Sequence, residues 1–200
     1  MIKRVLLIVA LSFYITSCSD SNNPVNSLDE ATAQDLRFVR EEEKLARDVY
    51  LYSFDKYQLQ IFKNISESEQ THMDAVLGQL EKYNVSDPVS DNARGVFENS
   101  TLQELYNELT AKSDLSLIEA LKVGALIEDL DIFDIESILQ RTSENSIINV
   151  YNNLTCGSRN HLRSFISELK ANGGDYNNQY ISEEYYNEII SSENEKCGNN

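Results

Sequence analysis

Tryptophan is missing from this 200-residue chain, and proline and glycine are scarce, with two and seven copies. So few turn-forming residues exclude the many tight corners of an all-β sandwich or barrel. Positive charge is short as well: 17 Lys and Arg face 33 Asp and Glu, for a formal net charge of −16. That deficit argues against nucleic acid and anionic membrane surfaces as partners and favours cations, over an acidic, solvated surface. Histidine occurs twice and cysteine three times, so each of these five residues calls for a reason. What the chain does have is a hydrophobic content of 41%, enough for the core of one domain with terminal extensions.

Lys3 and Arg4 precede an apolar run over 5–15 that ends in Ile15-Thr16-Ser17-Cys18. A charged start, an apolar stretch too short to span a bilayer and small residues after it read as a leader over residues 1–17. The last four residues resemble the bacterial lipobox, which would make Cys18 the lipidated first residue of the mature chain. The alternative is an ordinary cleaved leader with an incidental cysteine. Either way the chain is expected to be exported; with the lipid it would be anchored to the cell envelope, on the periplasmic or cell-surface side. Residues 18–27 are polar and aperiodic, and read as a flexible tether. Cys156 and Cys197 remain, an even pair open to a disulfide in an oxidising compartment or to two free thiols.

Four long stretches carry apolar residues at alternating three- and four-residue steps, the pattern of a helix buried on one face. The first begins near Ser27, where Ser27 and Glu30 have the form of a capping box, and ends between 56 and 60. Its seam is Leu36, Val39, Glu43, Ala46, Tyr50; Glu41 and Glu42 fall off it and are expected in solvent. The second, over about 64–83, has the seam Ile65, Glu69, His72, Val76, Leu80, Tyr83. The third starts near Ser116, again in capping-box relation with Glu119. It continues through Leu117, Leu121, Gly124 or Ala125, Glu128, Asp131 or Ile132, Ile135 and Leu139. The fourth, over about 144–171, reads Ile147, Tyr151, Leu154, Ser158, His161, Phe165, Leu169.

Between the second and third stretches lies a connection over 84–113, with turn residues and then a short helix over about 101–112 capped by Ser100. About thirty residues are far more than an antiparallel helix pair needs, and enough to run the roughly 38 Å of a 25-residue helix. Such a crossover separates ferritin-like bundles from simple up-and-down ones. Residues 182–190 read as one more short helix and 191–200 as a C-terminal tail. The expected fold is therefore all-α: a ferritin-like four-helix bundle over 28–190, with a long crossover between the second and third long helices and short extra helices.

All four seams are interrupted at mid-length by ionisable residues: Glu43, Glu69 with His72, Glu128 with Asp131, and His161. Glu69 and His72, three residues apart, share a helix face with their Cβ atoms roughly 5–6 Å apart. An unpaired charge buried there would cost several kcal/mol, so a partner is required. Carboxylate with imidazole suits iron, manganese or zinc. The other resolution is pairing with Arg40, Arg47, Arg159 or Arg163, which would leave a non-catalytic binding or scaffolding lipoprotein with a vestigial site. A third reading is a surface protein that sequesters divalent metals.

The runs over 40–50 (REEEKLARDVY), 68–73 (SEQTHM), 124–131 (GALIEDLD) and 157–162 (GSRNHL) resemble a ferritin-like domain family of unknown function, distantly similar to rubrerythrin. The resemblance covers about residues 30–190. It implies a dinuclear site with two iron ions, or manganese or zinc, held by Glu43, Glu69, His72, Glu128, Asp131 and His161. Glu43, Glu69 and His72 would gather one ion, and Glu128, Asp131 and His161 the other. Tyr50 and Tyr151 would stand behind these ligands. The implied chemistry is redox, with dioxygen or peroxide as partner and a homodimer as a further expectation. One position departs from the family: a ferritin-like Glu-x-x-His would need glutamate at 158, and this chain has Ser158. The rubredoxin-type cysteine site of rubrerythrin is also missing.

Overall fold

The first seam folds as α1 (Glu30–Tyr57), which starts on the side chain of Asp29, not Ser27: Asp29 accepts from the backbone N–H of Thr32. It stops where Gln58 turns left-handed at φ 52° and its N–H closes on the Phe54 carbonyl. That sharp corner lets α2 (Gln60–Lys82) begin some four residues earlier than periodicity indicates. The remaining helices are α3 (Ser100–Ser113), α4 (Leu117–Leu139), α5 (Asn145–Ala171) and α6 (Glu183–Ser191). Asn99, not Ser100, caps α3, whereas Ser116 caps α4 through the Glu119 N–H as its spacing predicts. This computed structural model describes residues 27–89 and 92–198; the leader, Cys18 and the tether up to residue 26 lie outside them. Among the described residues there is no strand, and no helix is long and apolar enough to cross a membrane. The fold is an all-α bundle, as expected.

The four long helices stand in a ring in which α1 neighbours α2 and α4, and α5 neighbours α4 and α2. Asp35, early in α1, holds Arg141 beyond the end of α4, and Tyr57, at the end of α1, donates to the Ser113 carbonyl just before α4. These two helices are therefore antiparallel. Tyr83, past the end of α2, reaches Glu144 and Ser146 at the start of α5, so that pair is antiparallel too. It follows that α2 and α4 run in the same direction on a diagonal, and the chain from 83 to 116 must return along the whole bundle. α3 lies on this return path, against α1 and α4.

The polar back of α1 is what the return path packs on. From Val39 to Tyr50 every residue of α1 is buried. Arg40 forms a two-pronged bond to Asp87. Glu41 accepts the N–H groups of Glu98 and Asn99 at the start of α3, where a carboxylate is favoured. Lys44 bonds Asp48 and the Ala93 carbonyl; Arg47 bonds Asp48, Gln70 and Asn92; and Asp48 also takes the Gly95 N–H. The expectation that Glu41 and Glu42 are solvated is thus wrong: they are 4% and 3% exposed. Periodicity assumed one open face; the connection closes it over Glu41, whereas Glu42 is buried on the α4 side, among Asp131 and Asp134.

Inside the ring the core is split in two. One apolar cluster gathers Leu36, Val39, Val76, Leu80, Ile135, Ile138, Ile147 and Leu154 at the Asp35–Arg141 end. A larger one surrounds Tyr50, Phe62, Leu121, Ala125, Leu162 and Phe165 towards the other end. The Phe165 ring fills the room left by Gly124, so that glycine serves close helix contact and not open space. Cys156 and Cys197 are bonded, with Cα atoms 5.7 Å apart. Together with Glu195, which pairs with Arg159 and Arg163, the disulfide ties residues 192–198 onto α5.

Asp48 joins a lysine, an arginine and the connection's backbone, all out of water. Asp48→Ala should therefore destabilise the fold by about 3–5 kcal/mol, since it leaves buried cations uncompensated; urea unfolding of parent and variant reads this directly.

Candidate metal centre

Between the two apolar clusters the seams change character together. α1 contributes Glu43 after Val39, α2 Glu69 and His72 between Ile65 and Val76, α4 Glu128 and Asp131 between Ala125 and Ile132, and α5 Ser158 and His161 between Leu154 and Leu162. Glu43, Glu69, Glu128 and Asp131 are all buried, and the two imidazoles are mostly so.

Glu69 stands at the centre. Its Oε2 lies 2.7 Å from His72 Nδ1 and its Oε1 lies 2.8 Å from His161 Nδ1. Each imidazole nitrogen has a second carboxylate: Glu43 Oε2 is 3.1 Å from His72 Nδ1, and Glu128 Oε2 is 3.4 Å from His161 Nδ1. Two groups result, Glu43–Glu69–His72 and Glu69–Glu128–His161. In each, the donor atoms lie within 4.8 Å of one another, and Glu69 is common to both. The rings face each other with centroids 5.6 Å apart.

The surroundings aim these atoms inward. His161 Nε2 meets Ser68 Oγ at 3.0 Å, which leaves Nδ1 to face the carboxylates. Behind His72 is Gly157, where a Cβ would lie 2.7 Å from Nε2 and Cε1, so that ring position requires glycine. Tyr50 donates to Glu128 Oε1 at 2.5 Å. The Tyr151 hydroxyl, expected behind the ligands, is buried without a hydrogen bond and belongs to the apolar cluster beside them. Asp131 also departs from its expected place: it is in neither group, because its carboxylate takes the Ser158 hydroxyl. The serine that stands where glutamate was expected opens room, and Asp131 turns into it. Spacing alone did not find Ser68 or Gly157, since neither a hydroxyl nor a missing Cβ disturbs an apolar seam.

Charge is far from ordinary here. Burial pushes up Glu43, with Asp131 adding to the rise and His72 opposing it. Glu128 and Asp131 are each pushed up to about 7, chiefly by burial. For Glu69 burial acts in the same sense, but His161 and His72 outweigh it and hold the group below the usual carboxylate range. Burial disfavours the imidazolium of His161, yet Glu69 and Glu128 carry it up to about 10; Glu43 and Glu69 likewise raise His72. None of the arginines that were candidates for neutralising this layer is bonded to it: Arg40 holds Asp87, Arg47 holds Asp48, and Arg159 and Arg163 hold Glu195.

Do these residues fit a metal? Glu43 Oε1, Glu69 Oε1 and His161 Nδ1 are buried atoms without a directed hydrogen bond. The short His161–Glu69 distance is therefore a close approach of two donor atoms more than a good hydrogen bond. Carboxylate oxygens and imidazole nitrogens converging in this way match the donor set of first-row divalent ions. The fit is good.

The fold and this layer define an all-helical bundle with two carboxylate–histidine groups sharing one glutamate. The chain belongs to the family described as an uncharacterized protein domain (DUF2202), which matches residues 32–193. It is 54% identical over 176 residues to a protein of Methanocaldococcus jannaschii described as uncharacterized protein MJ0754, covering 88% of this chain and 95% of that one. The crystal structure of hypothetical protein MJ0754 from Methanococcus jannaschii DSM 2661 is similar with a TM-score of 0.83 and 55% identity, over 84% of this chain and 96% of that chain.

Two outcomes are expected. Gly157→Ala should displace His72 and weaken divalent-ion binding by about 10- to 100-fold, as loss of a ligand's support does, with helical content unchanged; titration calorimetry checks this. The metal-free fold should also lose stability as pH rises. Glu128 and Asp131 bind protons more tightly folded than unfolded, so their contribution disappears between about pH 4 and 7, and that of His161 between about 6.5 and 10. Glu69 has the opposite sign, but its change lies below about pH 4.5. A melting temperature that falls steadily from pH 5 to pH 9 in chelator is the expected result.

Proposed function

We propose that this chain is a ferritin-like metal-binding domain whose carboxylate and histidine residues hold two divalent ions, iron foremost, with manganese or zinc as alternatives. The observation that carries this reading is the position of Glu69, with one oxygen directed to each histidine group. A carboxylate shared in this way is the bridge that dinuclear carboxylate sites of helix bundles use. Its presence on α2 answers the loss of a glutamate at 158. Bound iron would supply one-electron chemistry toward dioxygen or peroxide.

The chain's own residues would do the rest. Glu43 and His72 bind on one side of Glu69, and Glu128 and His161 on the other. Ser68 orients the His161 ring through Nε2, and Tyr50 holds Glu128 in place through its phenol. The two apolar clusters exclude bulk water above and below the layer, which strengthens every electrostatic interaction inside it. Uptake of ions would release the protons that His72 and His161 carry, so affinity would rise with pH. In the same proposal the exported chain is anchored through a lipid on Cys18 and acts at the envelope. A purely scaffolding role has less support, because the arginines that would neutralise a vestigial site are bonded elsewhere.

Anaerobic loading with iron(II), followed by desalting, should leave about two ions per chain, as a dinuclear site requires, and air should then produce a near-ultraviolet absorption. Glu69→Ala should lose both ions while His72→Ala keeps at most one, each with parental helical content. Parental iron retention in both variants would refute the centre.

A further inference from the structure

The two donor groups of the layer are not equally complete. In the Glu43–Glu69–His72 group, Glu43 has an oxygen in reserve: Oε2 faces His72, while Oε1 is buried without a hydrogen bond. That carboxylate can grip an ion with both oxygens, beside single atoms from Glu69 and His72. The Glu69–Glu128–His161 group has no such reserve. Glu69 gives it Oε1 alone, because Oε2 is turned to His72. Glu128 gives it Oε2 alone, because Oε1 takes the phenol hydrogen of Tyr50 at 2.5 Å. With His161 Nδ1, each of the three residues supplies one donor atom. First-row divalent ions take about four to six.

The chain carries a residue that would complete the second group, and keeps it away. Asp131 lies one turn past Glu128 on α4, on the same helix face. Ser158 lies one turn before His161 on α5, again on the same face. The two meet where α4 packs on α5, alongside the Glu128–His161 pair: Ser158 Oγ donates to Asp131 Oδ2. The serine is itself fixed, since it is buried and its Oγ lies 3.0 Å from the Leu154 carbonyl one turn back. Asp131 is thereby held out of both donor groups. The place it leaves is that of a carboxylate, so the ligand that fits there is a small anion with an oxygen or nitrogen donor.

We propose that Ser158 determines what the centre can bind: by holding Asp131 aside, it keeps a coordination position open on the ion at Glu69, Glu128 and His161, and that position takes a small anion from solution. The inference rests on the dinuclear reading above, and the two are separable by experiment. A shell filled by protein alone suits a structural ion, whereas an open position admits a reactant. Ser158 touches no ion in this account. It acts through Asp131, as a positioning residue.

The test loads the purified chain with cobalt(II), counts bound metal after desalting, and titrates azide while the visible cobalt bands are followed. Circular dichroism checks helical content in the parent, Ser158→Ala, Asp131→Asn and the double variant. Azide should shift the cobalt bands of the parent. Ser158→Ala should keep its cobalt but lose the azide shift, because the released Asp131 takes the open position. Asp131→Asn should hold as much cobalt as the parent and respond to azide in the same way. Ser158→Ala/Asp131→Asn should regain the azide shift, a reversal that a serine needed only for packing would not give. Loss of an ion in Asp131→Asn would make the aspartate a ligand and overturn the proposal, with the dinuclear centre intact. An azide shift in Ser158→Ala equal to the parent's, or a cobalt-loaded parent indifferent to azide, would overturn it in the same way. A parent that retains no cobalt overturns the proposal together with the dinuclear reading.

Discussion

A carboxylate in the middle of a helix bundle has to be balanced, and Glu69 is balanced by two imidazoles at once, one against each oxygen. Much of the design follows from that contact. The histidines must come from neighbouring helices, α2 and α5, so that one glutamate reaches both. Each histidine then carries a second carboxylate from the opposite pair, Glu43 from α1 and Glu128 from α4. Glycine is required at 157 to seat the His72 ring, and a hydroxyl at Ser68 to orient the other. Burial makes charge expensive here; mutual compensation keeps Glu69 and the two imidazoles charged in spite of it, while Glu43, Glu128 and Asp131 are pushed towards their neutral forms.

The same rule shapes the outside of α1. Its back face is as ionic as a solvated surface, yet it is covered, and every charge on it has a specific partner in the returning chain or in α1 itself. Asp48 and Glu41 work as fixed anchors for the backbone around Gly95, Glu98 and Asn99. The connection that lets α2 and α4 run in parallel is therefore an ordered part of the bundle. It packs through polar contacts on the back of α1 and through Phe97, Leu102 and Leu109, which join the apolar core.

Much of this was legible in the sequence. Four seams with three- and four-residue steps gave the four long helices, and the length of 84–113 gave the crossover. The interruptions of those seams named the residues that the structure brings into one layer. What was missed has common causes. Periodicity reads one face of a helix, so it put Glu41 and Glu42 in water when the connection covers the first and α4 the second. It also cannot tell which of two neighbouring acids turns toward a gap; Asp131 went to Ser158, and the division of donors changed with it. The cap at Asp29 lay two residues from a motif that looked equally good.

The level at which the polar layer cuts the core has a consequence for folding. An apolar bundle of leucine and isoleucine seams is tolerant of sliding, because moving one helix along its neighbour by a turn of about 5.4 Å exchanges one aliphatic contact for another. Here such a slip would press Glu43, Glu69 or Glu128 against Val39, Val76 or Ile135 and strand a histidine without its carboxylates. Misaligned packings are thereby raised in energy far more than the aligned one is lowered, a role that single buried polar residues have in coiled coils. The layer acts as a key that sets the heights of four helices against each other.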